Sequence, residues 1–285
     1  MNSATPNRLC LITGANSGIG LVTARELARQ GMDLILVCRN AAKGEQARQE
    51  VLAASRTQKV DLLLGDLADF ASVRKLAAEV RSRYGRLDVL VNNAGLLVHQ
   101  RTATPQGIEL TFATNHLGPF LLTNLLLDPL RKGHEPRIVN VSSEAHRFAR
   151  FRPDDLAAPK KYSSMVAYGN SKLANILFSN ELARRLAPDG ITSNSLHPGA
   201  VKTNFGAGNG GALGFAFNLF KPFFITPEKG AETSIYLAAS PEVQGRTGGY
   251  YDKKKPKTPS ADARSDYFAH ELWALSSRLT ELESL

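Results

Sequence analysis

Short, unbroken apolar runs alternate with longer stretches of helical periodicity from the start of the chain. Leu9–Thr13, Leu34–Cys38, Val60–Leu64, Leu87–Val91, Ile138–Ser142 and Ile191–Leu196 are continuous rather than alternating, the pattern of strands buried on both faces. Between them, Ile19–Gln30, Ala41–Ala54, Ser72–Tyr84, Leu110–Leu130 and Ala167–Leu186 are long and periodic enough for helices. Repeated βα units predict a single α/β domain over residues 1–285, a doubly wound parallel sheet of about seven strands with helices on both faces. After Lys202 the pattern breaks. Gly206–Gly211 is glycine-rich, and Ala212–Ile225 carries Phe215, Phe217, Phe220, Phe223 and Phe224. Thr226-Pro227 then reads as an N-cap followed by proline at the first helical position, starting a helix to about Ala239. A short strand near Gly249–Tyr251, a lysine-rich turn and a helix from about Ala261 complete the chain.

Composition narrows the class. Of the 285 residues, 43% are hydrophobic and 21% charged, which excludes disordered and fibrous chains. The two cysteines, Cys10 and Cys38, have no CxxC or Cys/His spacing, so no disulfide framework or metal site is expected and a reducing, cytoplasmic location fits. Met1–Arg8 lacks the apolar stretch of a signal peptide, and no run of 18 apolar residues predicts a membrane span. The net charge of +9 invites an anionic partner. No nucleic-acid recognition motif accompanies it, so no nucleic-acid partner is expected.

The first βα turn reads Thr13-Gly14-Ala15-Asn16-Ser17-Gly18-Ile19-Gly20. Glycines there let the backbone approach a pyrophosphate, and the following helix N-terminus offers unpaired N–H groups. A tight turn for helix–sheet packing would use the same glycines. The second strand ends Val37-Cys38-Arg39-Asn40, with Lys43 one turn on, where an NAD site places a carboxylate. Arg39 can meet a 2′-phosphate with a planar fork of donors, so NADP(H) is the expected cofactor. Asp66 and Leu67 follow the third strand, where they would meet the adenine. Asn92-Asn93-Ala94-Gly95 follows the fourth, where small residues let backbone pass close to a ligand and Asn92 can tie adjacent strands.

Tyr168 and Lys172, spaced i and i+4, share one helix face. Bringing a tyrosine from ~10 to ~7 takes about 4 kcal/mol, and a cation about 4 Å away at an effective dielectric of ~20 supplies that much. Asn115 lies four residues before Pro119, which has no N–H, so the Asn115 carbonyl loses its helical donor and the helix should kink. That carbonyl could hold a water reaching Lys172.

With these residues in place, the sequence resembles the short-chain dehydrogenase/reductases. Thr13–Gly20, Asn92–Gly95, Asn115, Ser142-Ser143, Tyr168/Lys172 and His197-Pro-Gly-Ala-Val-Lys-Thr203 stand in that family's order. Asn115–Leu122, Arg137–Ser143 and Leu173–Phe178 resemble its retinol dehydrogenase-like and WW-domain oxidoreductase-like branch. The resemblance implies a single-domain Rossmann fold that transfers a hydride between NADP(H) and a small carbonyl or alcohol substrate. Tyr168 would be the acid or base, and Lys172 would lower its pKa and bind the nicotinamide ribose. Ser143, with Ser142 as competitor, would polarise the carbonyl, and Asn115 would hold a relay water. Asn93, Ala94 and Gly95, together with Pro198, Gly199, Val201 and Thr203, would contact the cofactor.

In such proteins the segment 204–226 is a substrate lid, and its phenylalanines favour a lipophilic substrate such as a retinoid, steroid or long-chain aldehyde. Packing on the protein's own core, a subunit interface, or peripheral membrane contact through 212–225 would use the same stripe. A homodimer face on Leu110–Leu130 and Ala167–Leu186 is a further expectation from relatives. The competing reading is a catalytically idle, cofactor-sensing protein that binds a protein partner; such proteins commonly lose the tyrosine, lysine or serine, all present here. His116 and His197 are expected to pack or hydrogen-bond, and His146 to line the substrate mouth. Lys253, Lys254, Lys255 and Lys257 are expected in a solvated loop.

Overall fold

Alternate residues of the first strand enter two different cores. In β1 (Leu9–Thr13), Leu11 packs with Ile35, Leu90, Phe112 and Ile176 on one side, while Cys10 and Ile12 pack with Leu34, Leu36, Val91 and Val139 on the other. A strand with apolar side chains on both faces has no solvent face, so both sides must be covered by helices. The computed structural model describes residues 7–57, 59–157, 162–200 and 225–282. The expected position of the lid (204–226), all but Ile225 of the membrane-contact segment (212–225), Val201 and Thr203 lie outside them, apart from Ile225 and Thr226 at the lid's end.

The chain runs through α1 (Gly18–Arg29), β2 (Asp33–Cys38), α2 (Ala41–Ala54), β3 (Val60–Leu64), α3 (Phe70–Arg83) and β4 (Val89–Asn92). It continues through α4 (Leu110–Phe112), α5 (Gly118–Leu125), α6 (Leu127–Arg131), β5 (Arg137–Val141), α7 (Pro153–Leu156), α8 (Ser164–Arg185) and β6 (Thr192–His197). After 225 come α9 (Pro227–Ala239), β7 (Tyr250–Asp252), β8 (Lys255–Pro256) and α10 (Asp266–Leu279). The strands form one sheet in the order β3-β2-β1-β4-β5-β6-β7-β8, parallel except for the β7–β8 hairpin. Seven strands match the expected sheet; the eighth pairs only Tyr251 with Pro256 and Asp252 with Lys255, too short to register as a periodic pattern. Order reverses between β1 and β4, and the crevice at their carboxyl ends is where a sheet of this topology binds ligand.

One helix departs from expectation. Leu110–Leu130 is not continuous: α4 gives way to a π-helical turn over Ala113–Leu117, and the chain breaks again at Leu126. Pro119 cannot donate, so the ladder widens by one residue and the Gly118 N–H reaches back to the Ala113 carbonyl. Pro129, three residues past Leu126, accounts for the second break in the same way.

The cysteines are free and buried, and burial pushes both thiols up, Cys38 to about 11, so neither is a ready nucleophile. Among the described residues no helix is long and apolar enough to cross a membrane, and no cluster could hold a metal ion.

Candidate active site

The β1–α1 turn is built by close approach. Gly14 sits at φ +65°, a left-handed conformation that costs other residues more than glycine, and a Cβ there would lie 2.9 Å from the Ala94 Cα. A Cβ on Gly20 would overlap both the Gly14 carbonyl oxygen and the Asn93 amide nitrogen. Asn93 explains the crowding: its side chain donates to Thr13 O at 2.9 Å and Gly14 O at 3.3 Å, lashing the β4 loop to the turn. Thr13, unassigned by the sequence reading, accepts from the Asn93 and Ala94 N–H groups, both at 3.1 Å. Asn92 spans strands as expected, donating to Asn140 Oδ1 at 2.9 Å and Thr123 Oγ1 at 3.0 Å.

Ser17 caps α1 with extended backbone but makes no side-chain cap bond. The first-turn N–H groups of Gly18, Ile19 and Gly20 therefore lack the side-chain acceptor that usually closes such an end, which suits a pyrophosphate. At the end of β2, Asn40 caps α2 by accepting from the Lys43 N–H at 2.9 Å. Arg39 is 68% exposed and meets Asp66 only at 3.7 Å, a loose surface pair that leaves its guanidinium available. Asp66 also accepts from the Ala68 N–H, which turns the chain beneath Leu67.

Gly20→Ala is expected to destabilise the protein by about 1–3 kcal/mol, although alanine normally stabilises a helix interior over glycine. Any stabilisation by a saturating nicotinamide cofactor should disappear with it. Thermal unfolding with and without NADPH or NADH checks both; an unchanged cofactor-induced rise in Tm would sink the assignment of this turn.

Tyr168 and Lys172, the residues expected at the reacting end, lie together on α8. Lys172 is 3% exposed and donates to the Val141 carbonyl at 3.1 Å, with its ammonium 5.5 Å from the centre of the Tyr168 ring. Burial pushes the Lys172 ammonium down to about 8. The phenol behaves opposite to the sequence argument. Burial pushes Tyr168 up to about 12, and the opposing pull comes from a hydrogen bond with the Ser143 hydroxyl. Withdrawal from water outweighs that bond here. Ser142 is turned away: its hydroxyl donates to the Lys172 carbonyl at 2.7 Å, while Ser143 Oγ accepts from the Ala145 N–H at 3.2 Å and reaches Tyr168.

Asn115, on the π turn, is fully buried and pins the β4 loop, accepting from Leu96 N at 2.7 Å and donating to Leu96 O at 2.9 Å. It also donates to Ser171 Oγ at 3.0 Å, and Ser171 donates to the Tyr168 carbonyl at 2.8 Å. Ser171 was missed, although its place inside Tyr168–Lys172 was the available signal. Gly95 lies close to Lys172 and Asn115, and Pro198 and Gly199 follow β6 at the same edge of the sheet.

Two expectations are corrected. His146 does not line a mouth: it is fully buried beneath the Ser143 loop. Lys257 is not simply solvated but pairs with Asp252 at 2.9 Å and Glu144 at 3.2 Å, because the β7–β8 hairpin folds back onto the Ser143 segment.

An open parallel sheet takes its ligand where the strand order reverses, and a hydroxyl–phenol pair set at that crevice is suited to moving a proton at a carbonyl. The class so defined is that of the nicotinamide-dependent oxidoreductases. The family model for short chain dehydrogenases matches residues 8–210, and the chain belongs to that family. Its relatives place it in the retinol dehydrogenase-like branch. Retinol dehydrogenase 12 of Mus musculus is 40% identical over 282 residues, 99% of this chain and 89% of that protein. Retinol dehydrogenase 13 of Homo sapiens is 41% identical over 98% of this chain and 86% of its own length. The WW domain-containing oxidoreductase of Gallus gallus is 42% identical over 95% of this chain and 68% of its length. Among solved structures, a protein from Mycobacterium Paratuberculosis is 36% identical, with TM-score 0.78 over 97% of this chain and 94% of that one.

Proposed function

We propose that the protein is an NADP(H)-dependent oxidoreductase that interconverts a lipophilic carbonyl compound and its alcohol. The observation that carries this reading is the Ser143 hydroxyl on the Tyr168 phenol, beside the buried Lys172. NADP(H), when bound, supplies or accepts the hydride. In reduction, Ser143 holds the substrate oxygen by a hydrogen bond and Tyr168 gives it the phenolic proton. The Lys172 ammonium stabilises the phenolate left behind, and oxidation runs the same steps backwards. Asn115, whose carbonyl is denied an i+4 donor by Pro119, is the proposed seat of a water leading toward Lys172.

Gly14, Asn16, Ser17, Gly18, Ile19 and Gly20 would hold the pyrophosphate, and Arg39 with Asn40 and Lys43 the 2′-phosphate. The lipophilic class is supported by the names of the retinol dehydrogenase relatives. It is also supported by apolar side chains left uncovered on the two segments that carry the pair: Phe148 is 80%, Met165 46% and Val166 48% exposed.

NADPH oxidation across a graded panel of aldehydes and ketones, paired with NADP+ reduction by the matching alcohols, tests the reading. Turnover should rise with the chain length of the substrate, and no turnover across the panel would remove it. The pH profile has a defined sign. Tyr168, pushed up to about 12, keeps its proton through neutral pH, so the acid needed for reduction is present. Lys172 carries its charge only below about 8. The kcat/KM for reduction should therefore be flat at neutral pH and fall as pH rises through about 8, while that for oxidation, whose phenolate base is supported by the same charge, rises toward about 8 and levels off above it. A reduction rate that climbs through that range would contradict the roles given to the pair.

A further inference from the structure

We propose that His146 is a positioning residue for the reaction, holding Ser143 through its main chain. This rests on the reading of Ser143 as the hydroxyl that grips the substrate oxygen. The Ser143 carbonyl receives two donors from the same residue, the His146 N–H at 3.1 Å and the ring Nδ1 at 2.7 Å. The other ring nitrogen, Nε2, accepts from the Ser260 N–H at 3.1 Å. A backbone N–H can only donate and a carbonyl can only accept, so these two partners dictate the tautomer: the proton sits on Nδ1 and the lone pair on Nε2.

The imidazole thus bridges the Ser143 loop to the segment after β8 that carries Ser260. It is fully buried and packs edge-on to Tyr250, ring centres 5.2 Å apart at 69°. Tyr250 in turn donates to Glu144 Oε1 at 2.8 Å, and the Glu144 N–H donates to His197 Nδ1 at 3.2 Å. On the opposite side the loop lies against the helix of Tyr168, where a Cβ on Gly169 would come within 2.8 Å of the Ala145 carbonyl oxygen. Ser143 is therefore seated between α8 and a bridge whose central member is the His146 ring. A serine displaced by a fraction of an ångström loses its reach to the substrate oxygen before the fold is affected.

His146→Leu is expected to lower kcat by about tenfold or more while the substrate KM moves by less than about twofold. His146→Asn places an amide nitrogen where Nδ1 stood and should restore kcat to within about threefold, although it also lacks Nε2. In a Ser143→Ala background the His146→Leu change should alter kcat by less than about twofold, because its effect travels through Ser143. Nitrogen NMR of the wild-type imidazole should show the neutral Nδ1–H tautomer, a result independent of turnover and of how the variants fold. The Nε2–H tautomer, or a full additional loss in the Ser143→Ala background, would overturn the proposal. Inactivity of the wild-type chain across the panel overturns the oxidoreductase reading and this inference with it. An active wild type whose folded His146→Leu variant keeps its kcat overturns this inference alone.

Discussion

Tyr168→Phe is expected to lower kcat by about 10²–10⁴-fold, the range that a positioned general acid contributes, while NADPH affinity changes by less than about twofold. The phenylalanine ring fills the same space on α8, so Lys172 keeps its bond to the Val141 carbonyl and the close packing around Gly169 is retained. What disappears is the hydroxyl that meets Ser143. The loss should fall on kcat rather than on KM, because the proton is transferred only as the carbonyl oxygen gains charge. Single-turnover rates and NADPH fluorescence titration separate the two quantities. A Tyr168→Phe protein with wild-type turnover would refute the assignment.

Arg39→Ala is expected to weaken NADPH binding by about 10- to 100-fold, matching the ~1.5–3 kcal/mol of hydrogen bonds to a charged group, and to leave NADH nearly unchanged. The guanidinium stands at the end of β2, two-thirds exposed and only loosely paired with Asp66. Its exposure gives a second signature: the preference for NADPH should shrink as ionic strength rises, since charges facing solvent are screened. Arg39→Asp goes further, because it puts a carboxylate where ribose hydroxyls can donate and a phosphate is repelled. Its expected outcome is a preference for NADH. Equal kcat/KM for the two cofactors in the wild-type protein would remove the claim.

The first four strands were legible because each is short and mostly apolar, a pattern that a sheet covered on both faces satisfies, whereas β6 (Thr-Ser-Asn-Ser-Leu-His) is mostly polar. Boundaries moved by no more than two residues, as with β4, which begins at Val89 rather than Leu87. The break at Ala113–Leu117 was legible as a kink because Pro119 carries its own covalent reason, but not as the start of a separate helix. The burial of His146 could not be read, because its partners are backbone groups of Ser143 and Ser260, and Ser260 lies 114 residues away. Lys257 looked like one of four solvated lysines until the hairpin brought Glu144 within 3.2 Å.

The order of strands and helices, the glycine-rich turn, Arg39 at the end of β2 and the four-residue spacing of Tyr168 and Lys172 are local properties, carried by periodicity and covalent geometry. They were therefore settled by the chain alone. Which serine of Ser142-Ser143 meets Tyr168, and in which direction burial moves the phenol, depended on groups distant in sequence. Neighbouring side chains on an extended segment point to opposite sides, so only the packing of α8 against β5 could send Ser142 to the Lys172 carbonyl and leave Ser143 in the crevice. Desolvation likewise has no sequence signature: it exists only once the sheet, α8 and the Ser143 loop have closed around the same two ionisable groups.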